Sequence, residues 1–440
     1  MTKGVSRHPL RHRATPHEVF RAVCGESADA LWLDHHGERG SGVSFIAQGT
    51  PVELTTHWRA EVRAAWQKLA LGSSGDLEGL PLGVHLVLPY ELAGETLGVP
   101  THEEAIPRAL VVTQLMAISH DTGEVVAYSL GPKDELTEWA DSIDQALEAS
   151  APLPLRSLTT LGTMSWRDSE ERYLEMIRRA QDFIAQGDAY QLCVTTSLTL
   201  QGEVDPVELH RVMRESNPTH HQALIRLADV TIVSASPETF VSLSREGVVS
   251  TRPIKGTRPR GSTPTEDKAL AHELLQSDKE RAENLMIVDL MRNDLSRVCE
   301  TGTVRVPELL VVESYATVHQ LVSTITGQVR EGLDVVDLLE ATFPAGSMTG
   351  APKKRAVEIL QQLEGHPRSL YSGAYGVWRA DGSAEFAMTI RTAVVGPDSL
   401  AIGVGGGITA LSEPSEEIRE VGIKAKAFLR ALGAEQVGYS

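Results

Sequence analysis

Short apolar runs broken by His-Gly and Gly-Ser pairs fill residues 28–54, a pattern that predicts antiparallel strands joined by tight turns. Residues 81–92, 109–113 and 124–130 add further strands. Helical spacing appears over residues 16–24, over 57–71 through Val62, Trp66 and Leu69, and over 136–148. Ala151-Pro152-Leu153-Pro154 then reads as a joint, because proline continues neither a helix nor a central strand, and it sets a boundary near residue 155. Residues 1–14 show no apolar period and read as a mobile tail.

Beyond the joint the first helix is amphipathic, with Tyr173, Met176, Ile177, Ala180, Phe183 and Ile184 on one face. Asp168 and Glu171 resemble a capping box, and Gly187 ends the helix. Residues 191–200 switch to a period of two through Leu192, Val194, Thr196, Leu198 and Leu200. Strands over 223–227, 230–234, 240–244 and 246–252 follow with turns too short for parallel crossovers. Helices are predicted over 278–298, 353–363 and 416–432, and strands over 386–394 and 400–402. The expected fold class is α+β, a large antiparallel β core flanked by helices and not a doubly wound sheet.

Length and composition narrow the function classes. At 440 residues the chain is long for one core, so two domains or one large elaborated domain are expected, with a region 15–155 and a second region 156–440. A net charge of −18 argues against nucleic acid and anionic membranes as partners, and leaves an anionic ligand to a local basic pocket. Cys24, Cys193 and Cys299 lie far apart without a CxxC pair, so neither a disulfide framework nor a zinc site is suggested and a reducing cytoplasm fits. No apolar run is long enough to span a bilayer.

Several stretches carry candidate chemistry. Lys255 sits in Thr-Arg-Pro-Ile-Lys-Gly-Thr-Arg-Pro-Arg-Gly, where Pro253 and Pro259 stiffen the chain and Gly256 permits a sharp turn, so the lysine is expected to be presented from a shaped loop. Glu280 and Glu283, and again Glu417 and Glu420, are spaced i, i+3, which stacks two carboxylates on one helix face and invites a hard cation such as Mg²⁺. Gly405, Gly406 and Gly407 would let backbone N–H groups converge on an anion, although a bulge or tight turn explains such a run equally well. Residues 345–353 lead into a helix N-terminus, and Arg391 is a candidate fork for a carboxylate within a strand.

Taken together, the motifs of residues 164–433 resemble one family. Gly187-Asp188-Ala189-Tyr190-Gln191, Ser236-Pro237-Glu238, the Lys255 stretch, residues 279–298, residues 346–353, the glycine run and residues 417–424 stand in the order found in the chorismate-binding enzymes. The first region is similar more faintly, through Pro89-Tyr90-Glu91-Leu92. The resemblance implies a two-layer β core with flanking helices. Members that activate water carry a lysine at the position of Gln191, which disfavours isochorismate and salicylate chemistry. Anthranilate synthases typically carry alanine at the position of Lys255, whereas aminodeoxychorismate synthases carry Pro-Ile-Lys-Gly-Thr, as Pro253–Thr257 do, and the unbroken run found here from Glu283 to Asp294.

That likeness implies the following roles. Lys255 would be a nucleophile toward chorismate, and Glu238 would protonate the departing hydroxyl. Glu283 and Glu420 would hold Mg²⁺ directly, with Glu280 and Glu417 behind them through water. Gly405, Gly406, Gly407 and Lys424 would complete the metal end, Tyr371 and Arg391 would grip the enolpyruvyl carboxylate, and Thr349 would line the pocket. Gln320 departs from the family's usual histidine, with His319 just before it. None of the three cysteines lies in a Gly-rich nucleophile turn, so ammonia is expected from a separate glutamine amidotransferase chain. An anthranilate or aminodeoxyisochorismate synthase, and a catalytically silent chorismate-binding subunit, remain the alternatives.

Overall fold

The computed structural model describes residues 4–36, 42–70, 77, 79–149, 162–228, 230–315 and 318–434. The joint expected at residues 151–154 lies outside them. Two antiparallel sheets dominate. In spatial order the first runs Ser6–Pro9, Val125–Ser129, Gln114–Ser119, Gly42–Gln48, Asp29–His36, His221–Leu227, Val230–Ser236, Thr392–Val395, Ser399–Ile408, Gln191–Gln201 and Gly350–Ala351. Met164–Trp166 adds to Gln191–Gln201. The second runs Ile254–Pro259, Val318–Gln328, Val248–Thr251, Thr239–Leu243, Ala384–Met388, Ala374–Arg379, Gly83–Leu88, Arg108–Val112 and Thr50–Val52, with Arg305–Ser314 against Val318–Gln328.

Leu31, Ala47, Val87, Leu110, Ile225 and Ala387 come from both sheets and form one cluster, which is the core between the layers. The outer face of the first sheet is covered by helices that include Glu170–Ala185, Lys353–Glu364 and Pro414–Ala431. Trp58–Leu69, Asp278–Ser296 and Val335–Thr342 cover the second. The period-two pattern explains the choice of faces. In Gln191–Gln201, Leu192, Val194, Leu198 and Leu200 point to the helices, while Cys193 belongs to the cluster of the opposite side. The α+β class with helices outside is therefore the observed one.

Several expectations change. Strands of the first 150 residues and of the later chain alternate within both sheets, so regions 15–155 and 156–440 do not own separate cores. The tail expectation fails where residues are described. Ser6–Pro9 pairs with Val125–Ser129, and the backbone N–H groups of Arg11 and His12 donate to the buried carboxylate of Asp144. Ser169, not Asp168, caps Glu170–Ala185, and the Asp168 carboxylate instead accepts from the Thr196 hydroxyl at 2.8 Å. The 386–394 strand is broken, with Ala384–Met388 in one sheet and Thr392–Val395 in the other.

Candidate active site

Lys255 is carried by a strand, not by a free loop. Ile254 pairs with Val322 and Thr257 with Gln320, so Lys255 and Gly256 together stand opposite Leu321 alone. This is a β-bulge, and Gly256 supplies the left-handed backbone (φ 82°) that it needs. Gly256 also gives room: a Cβ there would lie 2.9 Å from Glu280 Oε2. The bulge aims Lys255 across to the first sheet, where its Nζ comes within 3.7 Å of the point a Cβ on Gly407 would occupy.

The glycine run is neither a turn nor a nest at a strand end. Gly403, Gly405, Gly406 and Gly407 lie inside Ser399–Ile408, paired in register with Gln191–Gln201. Their missing side chains are filled by neighbours. Cβ atoms would meet Tyr371 Cγ at 2.0 Å on Gly403, the Val194 carbonyl at 2.4 Å on Gly405, Glu417 Oε2 at 2.9 Å on Gly406 and Gln191 Nε2 at 2.2 Å on Gly407. Gln191 is fully buried, and neither atom of its amide has a hydrogen-bond partner among the described residues. A buried amide left unpaired beside an amine marks a place for a polar ligand.

Carboxylates surround the lysine. Glu238, at the start of Thr239–Leu243, is buried; burial pushes its carboxyl up to about 7 against the pull of Lys255, with the Ile254 backbone and the Ser347 hydroxyl facing it. Glu283 is likewise raised to about 7, by burial first, with Lys255 and Lys279 opposing and Glu280 and Glu417 adding. Its Oε1 has no hydrogen-bond partner among the described residues. Burial also works upward on Glu420, but Lys424, Lys279 and Lys255 hold it below the usual range. Lys424 bridges Glu420 at 2.7 Å and the Gly405 carbonyl at 2.6 Å. Arg258 reaches Glu280 at 3.5 Å, and Lys279 reaches Glu417 at 3.4 Å.

All the donors at this end are oxygens, one of them orphaned and buried, and lysine ammonium groups stand beside them. That set suits a hard cation held by one or two carboxylates, water and an anionic ligand. It does not form a ready cage: among the described residues no three His, Cys, Asp or Glu side chains converge to hold a metal ion.

At the other end Arg391 is not in a strand. It adopts a left-handed φ of 48° between Ala384–Met388 and Thr392–Val395, a conformation a non-glycine residue rarely takes. Its guanidinium acts electrostatically on Tyr371 and Glu420. Among the described residues neither Arg391 nor Lys255 has a side-chain hydrogen bond or an ion pair. Thr349 is buried and donates its hydroxyl to the Gly346 carbonyl at 3.2 Å, while its own carbonyl accepts from Cys193 N–H at 2.7 Å. The helix start at residues 352–353 contributes no free amine, since Lys353 is buried against Asp294 at 2.5 Å and the Thr342 carbonyl at 2.6 Å. His319 is engaged by Asp267 and Ser314, and Gln320 pairs with Thr257 two residues from Lys255.

Two supports escaped the motif reading. Lys279 stands four residues before Glu283, an ion-pair spacing that the sequence displays. Arg368 is buried and joins Glu364, the Met348 carbonyl and the Cys193 carbonyl at 2.7–2.8 Å, tying the Thr349 turn to strand Gln191–Gln201. No local pattern announces it.

The model of the chorismate binding enzyme family matches residues 29–430. An aminodeoxychorismate synthase of Streptomyces pristinaespiralis is 37% identical over 415 residues, covering 91% of this chain and 56% of that protein. The chain thus spans about half the length of that relative. Anthranilate synthase component 1 of Mycobacterium tuberculosis is 33% identical over 483 residues, covering 98% of this chain and 93% of the relative. The crystal structure of anthranilate synthase component I from Streptococcus pneumoniae superimposes with a TM-score of 0.73 at 25% identity, covering 96% of this chain and 92% of that one. With its two-sheet fold and motifs in place, the chain belongs to the chorismate binding enzyme family.

Proposed function

We propose that this chain aminates chorismate, converting chorismate and ammonia to 4-amino-4-deoxychorismate for para-aminobenzoate and folate synthesis. The observation that carries the reading is Lys255, presented by a bulge, without a hydrogen bond or ion pair among the described residues, toward the unpaired amide of Gln191. In this reading the neutral amine of Lys255 bonds through Nζ to ring C2, both ring double bonds shift and the C4–O bond breaks, with Glu238 giving its proton to the hydroxyl, which leaves as water. Ammonia then bonds to C4, the double bonds shift back, the C2–Nζ bond breaks to free the amine, and the Glu238 carboxylate takes a proton from the new ammonium. One difficult substitution becomes two easier ones. A carboxyl at about 7 is suited to the acid's task, since close to half of it carries a proton at neutral pH.

Arg391, with Tyr371 beside it, offers an uncommitted fork for the enolpyruvyl carboxylate. Thr349 and the glycine strand wall the ring between them. Glu283 and Glu420 would hold Mg²⁺, with Glu280 and Glu417 acting through water, and Lys424 beside them. Bound there, the ion would neutralise the ring carboxylate. Ammonia would come from a glutamine amidotransferase partner in the cytoplasm. A second reading, anthranilate formation, is favoured by the near full-length likeness to a component 1 of that activity. Mass spectrometry of the product from chorismate, Mg²⁺ and ammonium separates the two. Aminodeoxychorismate supports the first reading, anthranilate the second, and binding without any product would leave a silent subunit.

A further inference from the structure

The Lys279 ammonium stands between carboxylates of two helices, 3.4 Å from Glu417 Oε1 and 4.0 Å from Glu283 Oε1. The side chain of Glu417 is 3% exposed and that of Glu283 12%, whereas that of Lys279 is 42% exposed. The acids lie largely within the protein and the amine borders water. Glu417 sits against Gly406, and Glu283 Oε1 has no hydrogen-bond partner among the described residues. Two such carboxylates repel each other unless a positive charge lies near both. A lysine on a flexible stem supplies one that can leave, and half-exposed pairs of this kind are weak.

Resting on the metal reading above, we propose that Lys279 is a tethered counter-cation, which neutralises the Glu283–Glu417 gap in the metal-free protein and must swing into water before a divalent cation enters. Lys279 thereby sets how weakly the site holds its metal, so that the ion is retained chiefly when an anionic substrate adds its own ligand. The test titrates the full chain with Mn²⁺, reading free Mn²⁺ by electron paramagnetic resonance, with and without chorismate. Without chorismate, Lys279→Gln should bind Mn²⁺ roughly threefold to fivefold tighter than wild type. Lys279→Arg, which keeps the charge, should bind as wild type, as should Lys354→Gln, which removes an exposed charge from helix Lys353–Glu364. Circular dichroism checks that each variant is folded. Unchanged or weaker binding by Lys279→Gln, with wild-type binding intact, overturns the inference alone. If wild type binds no Mn²⁺ in either condition, or Glu283→Gln binds it equally well, the metal reading falls and the inference with it.

Discussion

Adding one methyl group at successive glycines of Ser399–Ile408 should separate stability from activity. On Gly403 the new carbon would meet Tyr371 Cγ at 2.0 Å and Cβ at 2.5 Å, the root of a half-buried side chain, which side-chain rotation moves little. On Gly407 it would meet Gln191 Nε2 at 2.2 Å, with Cδ at 3.2 Å and Lys255 Nζ at 3.7 Å. Here the collision is with the far end of a side chain, which can turn away, and the lysine is in ordinary contact. On Gly406 the only close atom among the described residues is Glu417 Oε2 at 2.9 Å, again the far end of a side chain. Overpacking of an unyielding core costs about 1–3 kcal/mol, so Gly403→Ala should lose stability near the upper end of that range. Gly407→Ala should lose about 1 kcal/mol or less. Its activity should suffer far more, because the displaced amide lies beside Lys255; about 1.4 kcal/mol on the barrier is already tenfold in rate. Urea unfolding gives the stabilities, and ammonium-dependent consumption of chorismate gives kcat/KM. If Gly407→Ala retains full kcat/KM while being destabilised as much as Gly403→Ala, the glycine strand is not a wall of the reaction site.

Glu238, raised to about 7 chiefly by burial, should confer an alkaline limb on kcat/KM above that pH, since the acid form is the one that works; Glu238→Gln should lose this limb along with roughly 10²–10⁴ of the rate. Glu283 is also raised, to about 7, so it binds its proton more tightly folded than unfolded, and the metal-free protein should lose stability as pH rises from about 4.5 to 7. Glu283→Gln should therefore be more stable than wild type at pH 8 by about 1–3 kcal/mol in chelator, yet inactive; lower stability or full turnover would count against its place in the site. The isolated chain should use ammonium and not glutamine, and a cognate amidotransferase should restore glutamine use. Glutamine-dependent turnover by the chain alone would contradict the partner assignment.

Local pattern made the carboxylate helices legible, because i, i+3 glutamates ahead of an apolar face survive intact in Asp278–Ser296 and Pro414–Ala431. It could not show that first-region strands thread both sheets, since pairings such as Leu224 with Trp32 join residues nearly two hundred positions apart. Gln114–Ser119 was overlooked because Thr113 alone separates it from Arg108–Val112. Ser6–Pro9 is a four-residue edge strand with no fully buried side chain, and so carries no apolar repeat. The sequence around Arg391 reads as continuous strand; its left-handed φ falls where the chain passes from one sheet to the other, which no local pattern displays. A glycine run in sequence suits an anion nest or a tight turn; within Ser399–Ile408 the missing side chains of Gly406 and Gly407 instead admit Glu417 and Gln191 to the backbone, and that of Gly405 the Val194 carbonyl.

Lys255 is expected to form a bond to the substrate, and incubation with chorismate without ammonia probes that bond itself. Intact-mass and peptide analysis after rapid quenching should find a chorismate-derived mass on the peptide that contains Lys255. Lys255→Ala should show no adduct and a severe loss of turnover, while still binding chorismate through Arg391, Tyr371 and the metal end. A trace of anthranilate-type product from that variant would agree with ammonia reaching C2 through the vacated space. No adduct on the wild type, together with aminodeoxychorismate formed by Lys255→Ala at an unchanged rate, would show that the lysine serves only as a positioning charge.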